Sequence, residues 1–291
     1  MTRIEVITPG ALTTVQDLGR PGWAHIGVPR SGAADRPALR LANRLVGNEE
    51  GAPGLETTLA GPRLRVGGPS VVALTGAPAD ASVGDRPVPM HQAFVLEAGD
   101  VLHVGTARAG LRTYLAFRGG IDAPLVLGSA ATDLLTGLGP ARLAPGDVLW
   151  VGAAWGGRTS GTPALQPPPL FQLPQIAQLR TVIGPRNDWI TAESIKRLAA
   201  EPFTVNHASN RIGLRLDGPR LDRARPDELL SEGLVPGAIQ VPPDGRPILL
   251  LADHPTTGGY PVIAVVISDD QPIAAQLRPG QQLRFSLVPP R

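Results

Sequence analysis

The sequence predicts a mainly β protein with two tandem lobes and only a few short helices. The chain has 291 residues, and because domains usually contain roughly 100–200 residues, we expect one or two domains and favour two. Its 35 glycines and 32 prolines make turns unusually frequent. Short apolar or alternating runs recur between these turn residues, and this pattern favours many short strands over long helices.

Five of these runs are predicted to be strands, because each is wholly apolar or alternates between apolar and polar residues. They are Arg63–Val66, Ser70–Leu74, Ala93–Leu96, Thr113–Phe117 and Val262–Ile267. A similar seven-residue motif, which begins and ends with leucine and has glycine at its fourth position followed by Asp or Gln, occurs at 96–102, 143–149 and 277–283. Glycine at such a position supplies a turn, so the motif predicts the start of a strand.

Two other stretches have helical character, so each lobe is expected to contain one short helix. In the first, Asp35 can cap a helix that has Pro37 in its first turn and Gly47 as its stop. The second runs roughly over 191–200 and must end before Pro202, which cannot continue a helix.

Two pairs of similar short sequences suggest that the lobes are related to each other. Asn43-Arg44 is matched by Asn210-Arg211, and residues 59–64 resemble residues 216–221. Between the two predicted lobes, a Gly-rich segment at 156–162 is followed by three prolines at 167–169. A flexible segment followed by a stiff one is typical of a linker. We therefore predict an N-terminal lobe at 1–155, a linker at 156–178 and a C-terminal lobe at 179–291.

The composition argues against several classes of function. The sequence has no cysteine and no paired zinc-ligand spacing, so we expect neither disulfides nor a metal site. The isoelectric point is about 9.6, but the net charge is only +2 and aromatic residues make up 4%, which argues against nucleic-acid binding. No apolar signal core opens the sequence and no stretch approaches the roughly 20 apolar residues of a membrane helix, so we expect a cytoplasmic protein with no membrane contact.

Polar residues among glycines form a first group of candidate binding residues in the N-terminal lobe. Four of them could bind an amide or a carboxylate: Asp17, Arg20, Ser31 and Asp35. Alternatively, Asp17 pairs with Arg20 and Asp35 only caps its helix. Asn43 and Arg44 would form an anion anchor if the arginine is buried, although a structural ion pair explains the same residues equally well.

A larger group lies in the C-terminal lobe, where polar residues follow apolar strands. Loops held by rigid strands often carry binding residues, and adjacent glycines leave backbone N–H groups available to an anion. The candidate substrate-binding residues here are Gln240, Asp253, Thr256, Thr257, Gly258, Gly259 and Tyr260. Asp253 and His254 are not expected to act as an acid–base pair, because neighbours in a strand point to opposite faces. We predict a site lined by 253–260 and reached by Arg20, Asn43 or Arg44.

Seven segments, taken together, resemble the family of 5-oxoprolinase C subunits. They are 13–35, 41–48, 55–58, 73–77, 114–122, 127–129 and 231–267. Related members are allophanate hydrolase subunit 2, the carboxyltransferase region of urea amidolyase and an antagonist of a sporulation-kinase inhibitor. The resemblance covers nearly the whole chain. Two departures are Ala130-Ala131, where a Ser-Thr pair is more usual, and Pro255 before Thr256.

The resemblance implies two cyclophilin-like β-barrel lobes and a role within a larger enzyme. Companion B and A subunits of 5-oxoprolinase would complete an assembly that converts 5-oxo-L-proline to L-glutamate with ATP hydrolysis, ATP being used at the level of the complex. The isolated chain is then expected to be inactive. The resemblance supplies no catalytic residue that can be placed in this sequence.

Two alternative functions stay open at this point. One is a carboxyltransferase-type component of a biotin-dependent urea carboxylase and allophanate system. Because the only lysine, Lys196, lies in a predicted helix, the biotin would then be carried by another chain. The other is a regulatory binding protein that antagonises an inhibitor of a histidine kinase. Adjacent genes for the B and A subunits would favour the oxoprolinase, whereas an adjacent kinase gene would favour regulation.

Overall fold

The computed structural model describes residues 1–152 and 173–290, which divide into two compact units. The first unit contains residues 1–20, 35–133 and 137–152, and the second contains residues 21–34, 134–136 and 173–290. Residues 156–172 of the predicted linker lie outside the described residues. The predicted lobe boundaries therefore stay predictions.

Two sheets of short strands build the first unit. Its strands are β1 (Thr2–Thr8), β2 (Leu12–Gln16), β3 (Gly54–Thr58), β4 (Arg63–Val66), β5 (Ser70–Gly76), β6 (Ala79–Val83), β7 (Arg86–Pro87), β8 (Ala93–Leu96), β9 (Val101–Ala107), β10 (Arg112–Phe117), β11 (Ile121–Asp122) and β12 (Val148–Val151). The seven-stranded sheet has the order β11-β12-β1-β4-β9-β6-β7, and the five-stranded sheet has the order β2-β3-β10-β5-β8. One apolar core joins them, with Val6 and Leu64 from the first sheet and Leu74 and Phe117 from the second.

Helix α1 (Arg36–Val46) confirms the capping signals of the first predicted helix. The Asp35 carboxylate accepts the backbone N–H of Ala38 at 3.0 Å, which satisfies one of the unpaired donors at the helix start. Gly47 ends the helix in the left-handed region, with φ of 76°. The apolar face, which includes Leu39, is buried against β5 and β10.

The second unit contains a closed seven-stranded barrel in the order β13-β20-β17-β18-β15-β14-β21. The strands of this unit are β13 (Ile176–Ile183), β14 (Phe203–Val205), β15 (Gly213–Asp217), β16 (Glu232–Gly233), β17 (Ala238–Gln240), β18 (Ile248–Leu250), β19 (Thr257–Gly258), β20 (Val262–Val266) and β21 (Gln282–Leu287). β13 and β21 pair in parallel and close the barrel. Phe203 and Phe285 pack inside it, with ring centroids 5.7 Å apart. β16 and β19 form a separate two-stranded sheet.

Helix α2 (Ala192–Ala200) confirms the second predicted helix, because the Thr191 hydroxyl accepts the N–H of Ser194 at 3.2 Å and the helix ends before Pro202. The expectation of one helix per lobe is wrong for the second unit, which also contains α3 (Gln271–Ala275). Five residues are too few to show an apolar helical period in the sequence. In the described part of the chain, no helix has the length and apolar character needed to cross a membrane.

The thrice-repeated motif forms the same turn at each place and confirms the predicted strand starts. Its glycines have φ of 90°, 88° and 85°: Gly99, Gly146 and Gly280. The residue directly after each glycine is Asp100, Asp147 or Gln281. Its side-chain oxygen accepts the backbone N–H of the residue three positions earlier in the chain, at 2.9, 2.7 and 2.8 Å respectively. β9, β12 and β21 each begin at the following residue. The five predicted strand runs are likewise found, in β4, β5, β8, β10 and β20.

Candidate functional site

Asp253, at the start of the predicted binding loop, is a buried anchor of the second unit. It follows β18, and its carboxylate receives two bonds from the Arg211 guanidinium, from Nε to Oδ2 at 2.8 Å and from Nη2 to Oδ1 at 2.9 Å. The Asp253 side chain is fully buried and that of Arg211 is only 2% exposed. Two parallel charged bonds are strong and directional. Removing either partner would leave the other charge uncompensated in the interior.

Further contacts within the second unit complete the environment of this ion pair. The Ser31 hydroxyl donates to Asp253 Oδ1 at 2.7 Å, and the Leu134 N–H donates to Oδ2 at 3.2 Å. Arg211 Nη2 also donates to the Gly32 carbonyl at 2.7 Å. Ser31 has φ of 52°, in the left-handed region that residues with a Cβ rarely adopt. Since donors occupy both carboxylate oxygens, Asp253 serves as an anchor of the loop rather than as a proton acceptor.

His254 bonds to a backbone carbonyl, and both it and Asp253 lie in the turn that follows β18 rather than in a strand. Its Nδ1 lies 2.7 Å from the Pro255 carbonyl oxygen. A carbonyl oxygen only accepts, so Nδ1 carries the proton in this contact. Asp253 and His254 are therefore engaged by different groups.

The end of the loop, at 256–260, is held by two backbone contacts and by the pairing of β16 with β19. The Leu234 N–H donates to the Thr256 carbonyl at 2.8 Å. The Gln240 amide nitrogen donates to the Tyr260 carbonyl at 3.0 Å. These contacts fix the backbone of the loop, so its outward-facing groups have defined positions.

Two side chains of this loop are exposed. Tyr260 is 44% exposed, and the Thr257 side chain also lies at the surface and makes no hydrogen bond to any described residue. Between them, a Cβ added to Gly258 would lie 2.9 Å from Leu234 Cδ1 and 3.1 Å from Gln240 Nε2. Packing therefore favours glycine at position 258, which also pairs with Glu232 in the β16–β19 sheet.

Arg186 and Glu232 form an ion pair beside this loop that the sequence did not reveal. The guanidinium donates to Glu232 Oε2 from Nε at 2.8 Å and from Nη2 at 2.5 Å. The hydrogen bond to Glu232, together with its charge, raises the pKa of Arg186 above its usual value. Because Glu232 begins β16, the pair ties the β16–β19 sheet to the chain that follows β13.

In the first unit, Asp17 and Arg20 bond to residues near position 130 and not to each other. Asp17 accepts from the Ser129 hydroxyl and the Ala130 N–H, both at 2.7 Å. Arg20 is buried and donates to the carbonyls of Val126, at 3.2 Å, and Ala131. Ala130 and Ala131 thus take part through backbone atoms, which explains how alanines replace the more usual Ser-Thr pair without loss of these bonds.

Asn43 and Arg44 have structural partners in the first unit. The buried Asn43 amide donates to the carbonyls of Glu50, at 3.1 Å, and Ala52, at 2.8 Å. Arg44 is not buried, because its side chain is 42% exposed and pairs with the Glu50 carboxylate at 2.7 Å. The interpretation of Arg44 as a buried anion anchor is therefore wrong, and the alternative of a structural ion pair is found.

A buried cluster around Tyr114 in the first unit was also missed by the sequence argument. The Tyr114 hydroxyl donates to Glu56 at 2.7 Å and accepts the Asp35 N–H at 2.7 Å. The Arg112 guanidinium lies 3.3 Å from the other Glu56 oxygen. Burial, followed by the negative charges of Glu56 and Asp35, raises the pKa of Tyr114 well above its ordinary value near 10. The phenol therefore stays protonated and donates to Glu56 at physiological pH.

Among the sequence-predicted residues, the second unit gathers one set around a common loop. These residues are Gln240, Asp253, Thr256, Thr257, Gly258, Gly259 and Tyr260. Arg20, Asn43 and Arg44 belong to the first unit, where they hold its backbone or pair with Glu50. A substrate site that combines both sets stays a prediction. Within residues 1–152 and 173–290, no group of three or more His, Cys, Asp or Glu side chains is arranged to hold a metal ion.

Comparison with known proteins relates nearly the whole chain to one family. Residues 26–287 match the family model described as the carboxyltransferase domain, subdomains A and B. The chain is also 39% identical, over 285 residues, to the 5-oxoprolinase C subunit of Escherichia coli strain K12, and this match spans 97% of the chain and 90% of that relative. The chain belongs to the carboxyltransferase-domain family that includes the 5-oxoprolinase C subunits. The resemblance inferred from the seven sequence segments is confirmed.

Other members of the carboxyltransferase-domain family are much longer proteins. The chain is 37% identical to urea amidolyase of Lachancea kluyveri, and the match spans 97% of the chain but 17% of that relative. The crystal structure of Kluyveromyces lactis urea amidolyase superimposes with a TM-score of 0.90 at 32% identity, over 99% of this chain and 19% of that one. The chain thus spans less than a fifth of these two relatives. The predicted mainly β fold with a few short helices is confirmed, and the second unit contains a closed seven-stranded barrel.

Proposed function

We propose that this chain is the C subunit of an ATP-dependent 5-oxoprolinase, which acts with the B and A subunits to convert 5-oxo-L-proline to L-glutamate. The observation that carries the proposal is the match to the E. coli 5-oxoprolinase C subunit, which extends over 97% of this chain and 90% of that relative. The reaction itself is a property of the complex, so we expect no turnover by this chain alone.

ATP is needed because a five-membered lactam is a poor electrophile. Transfer of the γ-phosphoryl group to the lactam oxygen yields ADP and activates the ring carbon. A water molecule then adds to that carbon, the ring C–N bond breaks with protonation of the nitrogen, and an acyl phosphate results. A second water releases phosphate and leaves L-glutamate. Each step requires groups that hold the substrate carboxylate and the lactam in a fixed orientation.

We assign the contribution of this chain to the loop at 256–260. Thr257 offers a hydroxyl that no described residue engages, and Tyr260 offers an exposed phenol. The backbone N–H of Gly259 is the candidate for the substrate carboxylate, as an oxyanion is well stabilised by such donors, whereas Gly258 pairs with Glu232 in the β16–β19 sheet. Gln240 holds the Tyr260 carbonyl, so it positions the phenol and supplies its own side-chain oxygen as an acceptor.

Reconstitution tests this function. The chain alone should give no ATP-dependent glutamate from 5-oxoproline, whereas the mixture with the purified B and A subunits should do so. A mixture of the B and A subunits without this chain is the matched control and should be much less active. Robust turnover by the pure isolated chain, or equal turnover with and without it, would contradict the proposal.

A second candidate function is that of a carboxyltransferase component in a biotin-dependent urea system. The similarity to urea amidolyases, with a TM-score of 0.90 for the K. lactis protein, favours it. Biotin is attached to lysine, and the only lysine of this chain is Lys196 in α2, so a separate carrier chain would be needed. ATP- and bicarbonate-dependent carboxylation of urea with a biotinylated carrier, in place of glutamate formation, would establish this alternative.

A further inference from the structure

A pocket of about 510 Å³ lies in the second unit, and its lining does not include the loop at 256–260. It is formed between residues 220–226 and residues 243–245. A volume of this size is within the range of small-molecule sites, which is roughly 300–1,000 Å³. None of the proposed substrate-binding residues lines it.

Backbone bonds hold both sides of this pocket. The Leu221 N–H donates to the Gly245 carbonyl at 2.9 Å, so the two lining segments are joined directly. On the other side, the Thr191 N–H donates to the Asp222 carbonyl at 3.0 Å and the Ala224 N–H donates to the Trp189 carbonyl at 2.8 Å. Both lining segments are irregular in backbone conformation, and these hydrogen bonds hold them in place.

Some of the charges that line the pocket are already neutralised by residues outside it. Arg225 pairs with Asp188 at 2.6 Å, and its guanidinium lies 5.6 Å from the centre of the Trp189 ring. The Asp222 carboxylate pairs with Arg197 at 3.2 Å. These pairs do not offer a charge to a ligand.

Two arginines of the pocket have no carboxylate partner among the described residues. Arg223 is half-buried and donates from Nη2 to the Val241 carbonyl at 3.1 Å, which orients its guanidinium, while its buried Nε has no hydrogen-bond partner in the described chain. The Arg220 side chain makes no hydrogen bond or ion pair with any described residue. The remaining charged lining residue is Asp244, whose carboxylate accepts the Arg246 N–H at 3.1 Å. With Arg220, Arg223 and Asp244 left, the pocket carries an excess of one positive charge.

We propose that this pocket binds a small molecule that carries a carboxylate or phosphate group beside an apolar portion. Arg220 and Arg223 bind the oxyanion, because guanidinium groups match the geometry of carboxylate and phosphate oxygens. Leu221, Pro226 and Pro243 supply the apolar wall. Carboxylate and phosphate ligands share this chemistry, and matched probes separate them.

Isothermal titration of the full chain with phenylacetate, phenyl phosphate and the neutral 2-phenylethanol tests the proposal. We expect at least one anion to bind and the alcohol to bind much more weakly. Arg223→Gln and Arg220→Gln should each weaken anion binding by about tenfold, as expected for loss of a charged hydrogen bond. Arg215→Gln, which alters an exposed arginine of the same unit outside the pocket, should leave the affinity unchanged.

Preference for phenylacetate would identify a carboxylate ligand, and preference for phenyl phosphate a phosphate ligand. Because Arg220 is exposed, Arg220→Gln should fold normally even if Arg223→Gln does not. The proposal is overturned if neither anion binds, if the alcohol binds as well as the anions, or if Arg220→Gln and Arg215→Gln have the same affinity as the unaltered chain.

Discussion

The same dipeptide, Asn-Arg, occurs once in each unit and is used in opposite ways. In the first unit, Arg44 lies near the end of α1, is 42% exposed and pairs with a Glu50 carboxylate that is itself 46% exposed. In the second unit, Arg211 lies in the turn before β15, is 2% exposed and binds the fully buried Asp253 through two bonds. The identity of the residues therefore does not fix their role, which depends on the burial that the surrounding strands impose.

The asparagines differ in the same manner. Asn43 donates its amide to two backbone carbonyls and closes the segment after α1. Asn210 instead accepts the N–H of Ile212 at 2.8 Å and forms a local turn. The comparison indicates that the second copy anchors the loop beginning at Asp253, whereas the first copy shapes the end of a helix.

Replacing each of these two arginines in turn should give the largest difference in the free energy of unfolding. Arg211→Met should lower the free energy of unfolding by about 3–5 kcal/mol, because Asp253 is left buried without a counter-charge. Arg44→Met should lower it by less than about 1 kcal/mol, because solvent screens the exposed pair. Urea unfolding of the two variants measures the difference. Equal losses in both would show that burial does not separate the two pairs, and recovery of stability in the Arg211→Met, Asp253→Leu double variant would confirm the uncompensated charge as the cause.

The ion pair of Asp270 with Arg180, in the second unit, is intermediate in burial between the two pairs described above. Asp270 is buried, while Arg180 is half-exposed. Burial acts to raise the pKa of Asp270, but hydrogen bonds from the Arg180 side chain and backbone outweigh it and hold the pKa below the ordinary value of about 3.8. The ionised form therefore stabilises the fold above the unfolded pKa, and this contribution is lost as the pH falls through the lower, folded pKa.

Asp270→Asn should accordingly lower stability by about 1–2 kcal/mol at neutral pH and remove the part of the acid sensitivity that appears below about pH 4. Thermal melting between neutral pH and strongly acidic pH measures both effects. Asp269→Asn, one residue earlier and exposed, is the matched control. If Asp270→Asn retained the full acid sensitivity of the unaltered chain, the role assigned to this carboxylate would be wrong.

The repeated turn at the start of a strand should contribute equally to stability in both units, whereas the two arginines contribute unequally. Gly146→Ala in the first unit and Gly280→Ala in the second should each cost about 1 kcal/mol, because both positions have φ near +90° while nothing lies within 4 Å of an added Cβ. Gly233→Ala, which also has open space but no positive φ, should be nearly neutral. A loss in only one of the two turns, measured by urea unfolding, would show that they are not equivalent.

These comparisons explain which features could be predicted from the sequence. The α1 caps and the three strand-start turns depend on residues within four positions of one another, so their signals are local. The Arg211–Asp253 pair joins residues 42 positions apart, and the Tyr114–Glu56 bond joins residues 58 positions apart. No local pattern specifies these contacts, since they arise when strands pair in the sheets. The loop at 253–260 was found because its polar residues stand between apolar strands, but its division into a buried anchor and an exposed end required the fold.

That division leads to the central claim, which is that the exposed end of the loop contacts the substrate while the buried end only holds it in place. Thr257→Val removes a surface hydroxyl at nearly constant volume, so the melting temperature should stay the same. Thr106→Val, which alters another exposed threonine in β9, is the matched control for both stability and activity.

The most direct measurement is the rate of ATP-dependent glutamate formation from 5-oxoproline by the complex reconstituted with the B and A subunits. With Thr257→Val in place of the unaltered chain, we predict a loss of at least about tenfold, which is typical of one hydrogen bond lost at a reacting substrate, while Thr106→Val retains full activity. Full activity of the Thr257→Val complex, at unchanged melting temperature, would contradict the assignment of the substrate contact to this loop.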